Sequence, residues 1–200
     1  QTSVPEDEVV LIAKNFVRIV NEKIIPQWQG AIVSTSTIYY DQKLKPVVYC
    51  FDVIKDRAEK GFIMVSTKEN EYPIQEFSTL PAPHKRSFDS CLKKADNLIT
   101  KEQKLGTPRF IWLGISSYCT QFPILVDGKE INKITIEMRS LQVIDAKIPP
   151  FQDKKINHDR IVKSKDAWQD ITACNLQPAT LKLINYITTY KLYISDIATS

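Results

Sequence analysis

Gly61-Phe-Ile-Met-Val-Ser66 places four large apolar side chains in a row between a glycine and a serine. Aromatic and β-branched residues in so short a run read as a strand, with Phe62, Met64 and Ser66 on one side and Ile63 and Val65 on the other, so that one side can face a helix. Gly61 allows a tight strand entry. Runs of the same texture lie on either side, at residues 31–40, 46–54 and 72–78, with polar connectors at Asp41-Gln-Lys43 and residues 55–60 between them. The pattern predicts an antiparallel meander, with Pro73 suited to an edge strand because it donates no ladder hydrogen bond.

Upstream, Ser3-Val-Pro-Glu6 has the form of a capping box, and Val9, Ala13, Phe16, Val17, Val20 and Ile24 recur at helical spacing. A helix is expected over residues 5–23, stopped by Pro26 and packed on the meander. Downstream, Leu80-Pro-Ala-Pro-His-Lys-Arg86 is a proline-rich break. A second helix is expected over residues 87–104, with Phe88, Cys91, Leu92, Ala95, Leu98 and Ile99 as its apolar side, ended by Gly106 and Pro108. Strands follow at 109–115, 118–126 and 131–144, the last two joined by Asp127-Gly128, a dipeptide that tolerates the positive φ of a tight hairpin. A helix followed by strands thus occurs twice, which gives an α+β fold of helices on antiparallel sheet. Residues 1–145 read as one composite domain with a seam near residues 81–86, and Phe16, Val20, Phe62, Met64 and Trp112 are its expected core. Beyond Pro149-Pro150 a lysine-rich stretch to Lys165 reads as an exposed connector. Ala179, Leu181, Leu183, Ile184, Ile187 and Tyr190 predict a further helix over residues 178–193, so residues 146–200 form a connector arm plus a C-terminal helix.

The chain has 200 residues, 43% of them apolar, enough for a real interior. No apolar run approaches the roughly 18 to 20 residues of a membrane-spanning helix. The net charge of +4 is spread over 27 basic and 23 acidic residues without a basic stripe, which argues against nucleic acid. Cys50, Cys91, Cys119 and Cys174 lack the CxxC spacing of a zinc or redox site, so neither a metal nor a cofactor is expected. Their even number permits one or two disulfides, and Cys50 and Cys119 also suit buried thiols in strands. The chain opens on Gln1 without an initiator methionine, and a cleaved export signal, hence a secreted or cell-surface location, is the expectation.

A series of phrases in fixed order carries a resemblance. Trp28-Gln-Gly-Ala31 precedes the first strand, Tyr39-Tyr-Asp41 closes it and Pro46-Val-Val-Tyr49 opens the second. Gly61-Phe-Ile-Met-Val-Ser66 and Tyr72-Pro-Ile-Gln-Glu-Phe-Ser78 form the third and fourth. Together they resemble the propeptide region of streptopain-like and bacteriocin-processing-like papain-fold cysteine peptidase precursors, over about residues 8 to 145. Phe110-Ile-Trp-Leu-Gly114 and Ser117-Tyr118 look like the second half of the archaeal type. The positions that carry the likeness are Trp28, Gly30, Tyr40, Gly61, Val65, Ser66, Pro73, Phe77 and Ser78. The resemblance implies a secreted domain that binds or restrains a papain-like peptidase, or a non-catalytic binding module derived from one.

A peptidase of that class needs a thiolate, a histidine to activate it and a third group to orient the ring. Trp168 and Ala173-Cys-Asn-Leu-Gln-Pro-Ala-Thr180 echo the phrase that opens the enzyme domain in such precursors, making Cys174 the candidate nucleophile. Asn175 stands where the family has glycine, two extra residues precede Pro178, and no histidine follows. The two histidines, His84 and His158, lie upstream and read as surface residues. A chain without a catalytic site of its own is the expectation, with a protein partner that is either a papain-like peptidase or further copies of itself. The rival readings are a structural subunit of an extracellular assembly, favoured by the extended arm, and a cysteine peptidase using Cys174.

Overall fold

The computed structural model describes residues 3–144 and 158–174. The first helix, α1 (Glu6–Lys23), keeps its predicted face: Val9, Ile12, Ala13, Phe16 and Val20 are fully buried. Its start differs from the expected capping box. Pro5 is the N-cap and no side chain caps the helix, while Ser3 bridges to Lys68. Glu6, Asp7 and Glu8 in the first turn face the positive end of the helix dipole instead. A short 3-10 turn, Pro26–Trp28, leads into β1 (Ile32–Tyr40).

β1, β2 (Pro46–Lys55), β3 (Ala58–Ser66) and β4 (Ile74–Ser78) form the meander, each antiparallel to the next, with β4 at the sheet edge. The β2–β3 turn is Asp56-Arg57, both at positive φ, the geometry of a two-residue hairpin that matches strand twist. β3 is buried on both faces: Ile63 and Val65 join α1, whereas Phe62 and Met64 join a second core on the opposite side. Its unbroken apolar run follows from that double burial.

The second helix, α2 (Pro83–Asp96), starts and ends earlier than expected. Proline is well placed in a first helical turn, where its missing N–H removes a donor that would have no helical partner, and the Ser87 hydroxyl donates to the Pro83 carbonyl. Cys91 and Ala95 point into the second core. β5 (Lys104–Leu105), β6 (Arg109–Gly114), β7 (Ser117–Val126) and β8 (Lys129–Glu137) complete the fold, with Asp127-Gly128 at positive φ in the β7–β8 turn as predicted. β8 is shorter than expected: after Glu137 the chain turns and folds back, so that Val143 bridges to Ile136. Trp112 is half-buried, packed on the rim of the second core.

One hydrogen-bonded sheet runs through both halves in the order β4-β3-β2-β1-β6-β7-β5, with β8 on β7. The halves meet at a parallel joint with only two register pairs, Tyr39 with Phe110 and Tyr40 with Ile111. The α+β class and the repeated helix-then-strands order are both present.

The last part of the stretch read as an exposed connector, residues 158–165, is helical instead. α3 (His158–Thr172) is helical, and Ser164, Ala167, Trp168 and Ile171 are buried on the α1 side. Those positions follow i, i+3, i+4, i+7, one helical face. Asn15 on α1 donates from Nδ2 to the carbonyls of Ile171 and Thr172, both at 3.0 Å, which satisfies the open end of α3. The helix expected over residues 178–193 lies outside the described residues.

The α1-side core rests on Phe16, whose ring meets Phe77 edge-on at 5.1 Å. Phe16→Ala is expected to cost about 3 to 5 kcal/mol in urea unfolding, from lost transfer energy plus the cavity. A loss under about 1 kcal/mol would contradict this packing.

Candidate functional site

The nine positions that carry the resemblance all fall between the 3-10 turn and β4, where they fix the meander on α1. Trp28 is fully buried, donates from Nε1 to the Lys60 carbonyl at 2.8 Å and meets Phe77 edge-on. Gly61, at φ +142°, lies against the Ser78 carbonyl so closely that no Cβ fits. Gly30, at φ +74°, has open space around it. At the other end of β3, Val65 is buried in the α1-side core and the Ser66 hydroxyl donates to Glu71 at 2.9 Å. The Ser66 amide donates to the Pro73 carbonyl. Tyr40 ends β1 at the joint. Trp28, Gly61, Phe77 and Ser78 are thus brought together at one end, and Val65, Ser66 and Pro73 at the other. Beyond β4 no strand pairs on its outer side among the described residues, so Ile74–Ser78 presents main-chain donors and acceptors at a sheet edge.

Among the described residues, the candidate thiol meets no histidine. Cys174 is exposed, two residues beyond α3, on the side of the sheet that holds α1. His84 sits on α2 in the opposite core. His158 opens α3 at the end opposite Cys174, with Thr172 about 21 Å away at 1.5 Å per residue along the helix. The described geometry therefore brings neither histidine to Cys174. Cys50, Cys91 and Cys119 are free and buried. Burial pushes the Cys50 thiol well up, raises that of Cys91 and moves Cys119 to about 12, so all three stay protonated near neutral pH. Among the described residues no group of three or more His, Cys, Asp or Glu is placed to hold a metal ion.

His84, expected at the surface, is buried, 7% exposed. Its Nδ1 is 3.0 Å from the Tyr39 hydroxyl, and its ring stacks at a tilt on Phe110 with centroids 4.8 Å apart. Burial lowers its pKa to about 4, against the pull of Asp52 and Glu59, while Lys85 pushes the same way as burial. The ring is therefore neutral at pH 7. The next residue, Lys85, turns outward and bridges Asp52 at 2.7 Å and Glu59 at 2.8 Å. Glu76, on β4, is buried and accepts from the Ser116 amide at 3.3 Å. Sequence reasoning missed this group because Lys85 and Arg86 make the segment look solvated. Pro83 carried the usable signal, since a proline in a first turn places His84 and Lys85 on different faces of a helix.

Compared with protein-family models, with curated proteins and with solved structures, the chain gives no match in any of the three.

Proposed function

We propose that this chain is a non-catalytic, propeptide-like domain of secreted origin that binds a papain-like cysteine peptidase and restrains it. The observation that supports the reading is the position of the resembling phrases. The phrases from Trp28 to Ser78 occupy one unit, the β1–β4 meander on α1, and its outermost strand carries the Tyr72-Pro-Ile-Gln-Glu-Phe-Ser78 phrase at an open edge. An extended segment of a partner can add to such an edge through main-chain hydrogen bonds, while alternate side chains give selectivity. The separation of Cys174 from both histidines supports a binding role over hydrolysis. The subunit reading drew on a free arm, and part of that arm, α3, packs on this chain's own α1.

The test is kinetic. Added to an active streptopain-type peptidase, the chain is expected to slow hydrolysis of a short peptide substrate, with inhibition relieved by raising the substrate concentration. The chain alone should cleave nothing, and Cys174→Ser should leave both results unchanged. Thiol-dependent cleavage by the chain that Cys174→Ser abolishes would overturn the non-catalytic reading, and absence of inhibition at tens of micromolar chain would overturn the partner.

A further inference from the structure

We propose that the Tyr39–His84 contact is an acid-sensitive latch, whose protonation loosens the parallel joint between β1 and β6 while the α1-side core stays folded. The joint is a narrow part of the sheet: β1 and β6 share only two register pairs, as few as the short β5–β7 pairing, whereas β1 and β2 share seven. One cluster of rings holds it. Tyr39 and Phe110 are partners in the joint's backbone register, and their rings are 5.7 Å apart. His84 contacts both, through the 3.0 Å hydrogen bond to Tyr39 and the 4.8 Å stack on Phe110. Tyr118 and Trp112 close the cluster around Tyr39.

With a neutral imidazole that carries its proton on Nε2, the Tyr39 hydroxyl donates to Nδ1. A second proton on the ring occupies Nδ1, the tyrosine must turn and accept, and its own proton loses that acceptor. A cation then lies inside an aromatic cluster, a cost that opening the joint to water removes. The surrounding charges do not supply a free counter-ion on this side. Asp52 of β2 and Glu59 of β3 are both engaged by Lys85 of α2, Glu76 of β4 accepts from Ser116, and Cys50 of β2 is a protonated thiol. Arg86 of α2 adds a further positive charge near Tyr39. Among the residues whose side chains are described, the α1-side core holds no buried histidine, so protonation of His84 does not reach it.

Hydrogen exchange of the full chain, read by mass spectrometry at pH 7.5 and pH 4.5 and corrected for intrinsic rates, tests the latch. For a group near 4 in the closed joint and 6.5 in the open one, protection over residues 39–41 and 109–112 should fall about 70-fold, with residues 12–20 unchanged. His84→Gln, which retains a neutral acceptor, and Tyr39→Phe with His84→Phe, which removes both polar partners, should each abolish the fall. Unchanged protection at the joint in the wild type would overturn the proposal, as would an equal loss over residues 12–20. Persistence of the fall in whichever variant folds would assign the effect to the carboxylates Asp52, Glu59 and Glu76 instead, and would also overturn it.

Discussion

Gly61→Val is expected to destabilise the chain by about 2 to 6 kcal/mol, summing backbone strain and forced separation of packed strands, each of about 1 to 3 kcal/mol. Gly61 has φ +142°, a conformation that side-chain-bearing residues rarely adopt, and any Cβ there drives into the Ser78 carbonyl and the Thr79 backbone. Backbone cannot rotate aside as a long side chain does, so β4 must move off β3. The strand that moves carries Phe77, which packs on Phe16 and Trp28, so the damage spreads into the α1-side core. Gly30→Ala is the matched control: φ is also positive, +74°, but nothing lies within 4 Å of the added carbon. It should cost only about 1 kcal/mol. Urea midpoints for the two variants decide the matter, and equal losses would mean that the close β3–β4 approach is not what holds this edge.

Trp168→Ala should cost about 3 to 5 kcal/mol, as large-to-small changes of buried aromatics do. Trp168 is 6% exposed in the α1-side core, and its Nε1 donates to the Glu71 carbonyl at 2.9 Å. The Ser164 hydroxyl donates to the neighbouring Glu69 carbonyl at 3.3 Å. Removing the ring therefore leaves a cavity and strands a carbonyl together. A chain ending at Ile144 should lose at least as much, because Asn15 and the buried face of α1 would then meet water. Residues beyond Pro150 read from the sequence as serving contacts more than the fold, and α3 instead gives them part of the core. Cooperative melting of the shortened chain at the full chain's temperature would contradict the packing of α3.

How much of this was legible follows from how each face is written. α1 and the meander announce themselves because large apolar residues recur at clean periods, and Asp127-Gly128 names its own turn. α3 hides its face, since two of its four buried positions are Ser164 and Ala167, and the charged Lys163, Lys165 and Asp166 beside them dilute the pattern. Trp168 stands in the echo of a peptidase opening phrase, yet its spacing to Ala167, Ser164 and Ile171 marks a buried stripe. The placement of Cys174 relative to the histidines is a tertiary matter: it depends on which side of the sheet each helix covers, and no local pattern encodes that. The joint at Tyr39 and Phe110 is hidden for the same reason, since 71 residues separate partners that pair in only two places.

The most direct measurement of the central claim is the sedimentation of the chain alone and mixed with an active-site-blocked streptopain-type peptidase. The account predicts a monomer of about 22.9 kDa alone and a one-to-one complex in the mixture. Two independent boundaries in the mixture, or a polymer of the chain without any peptidase, would contradict it.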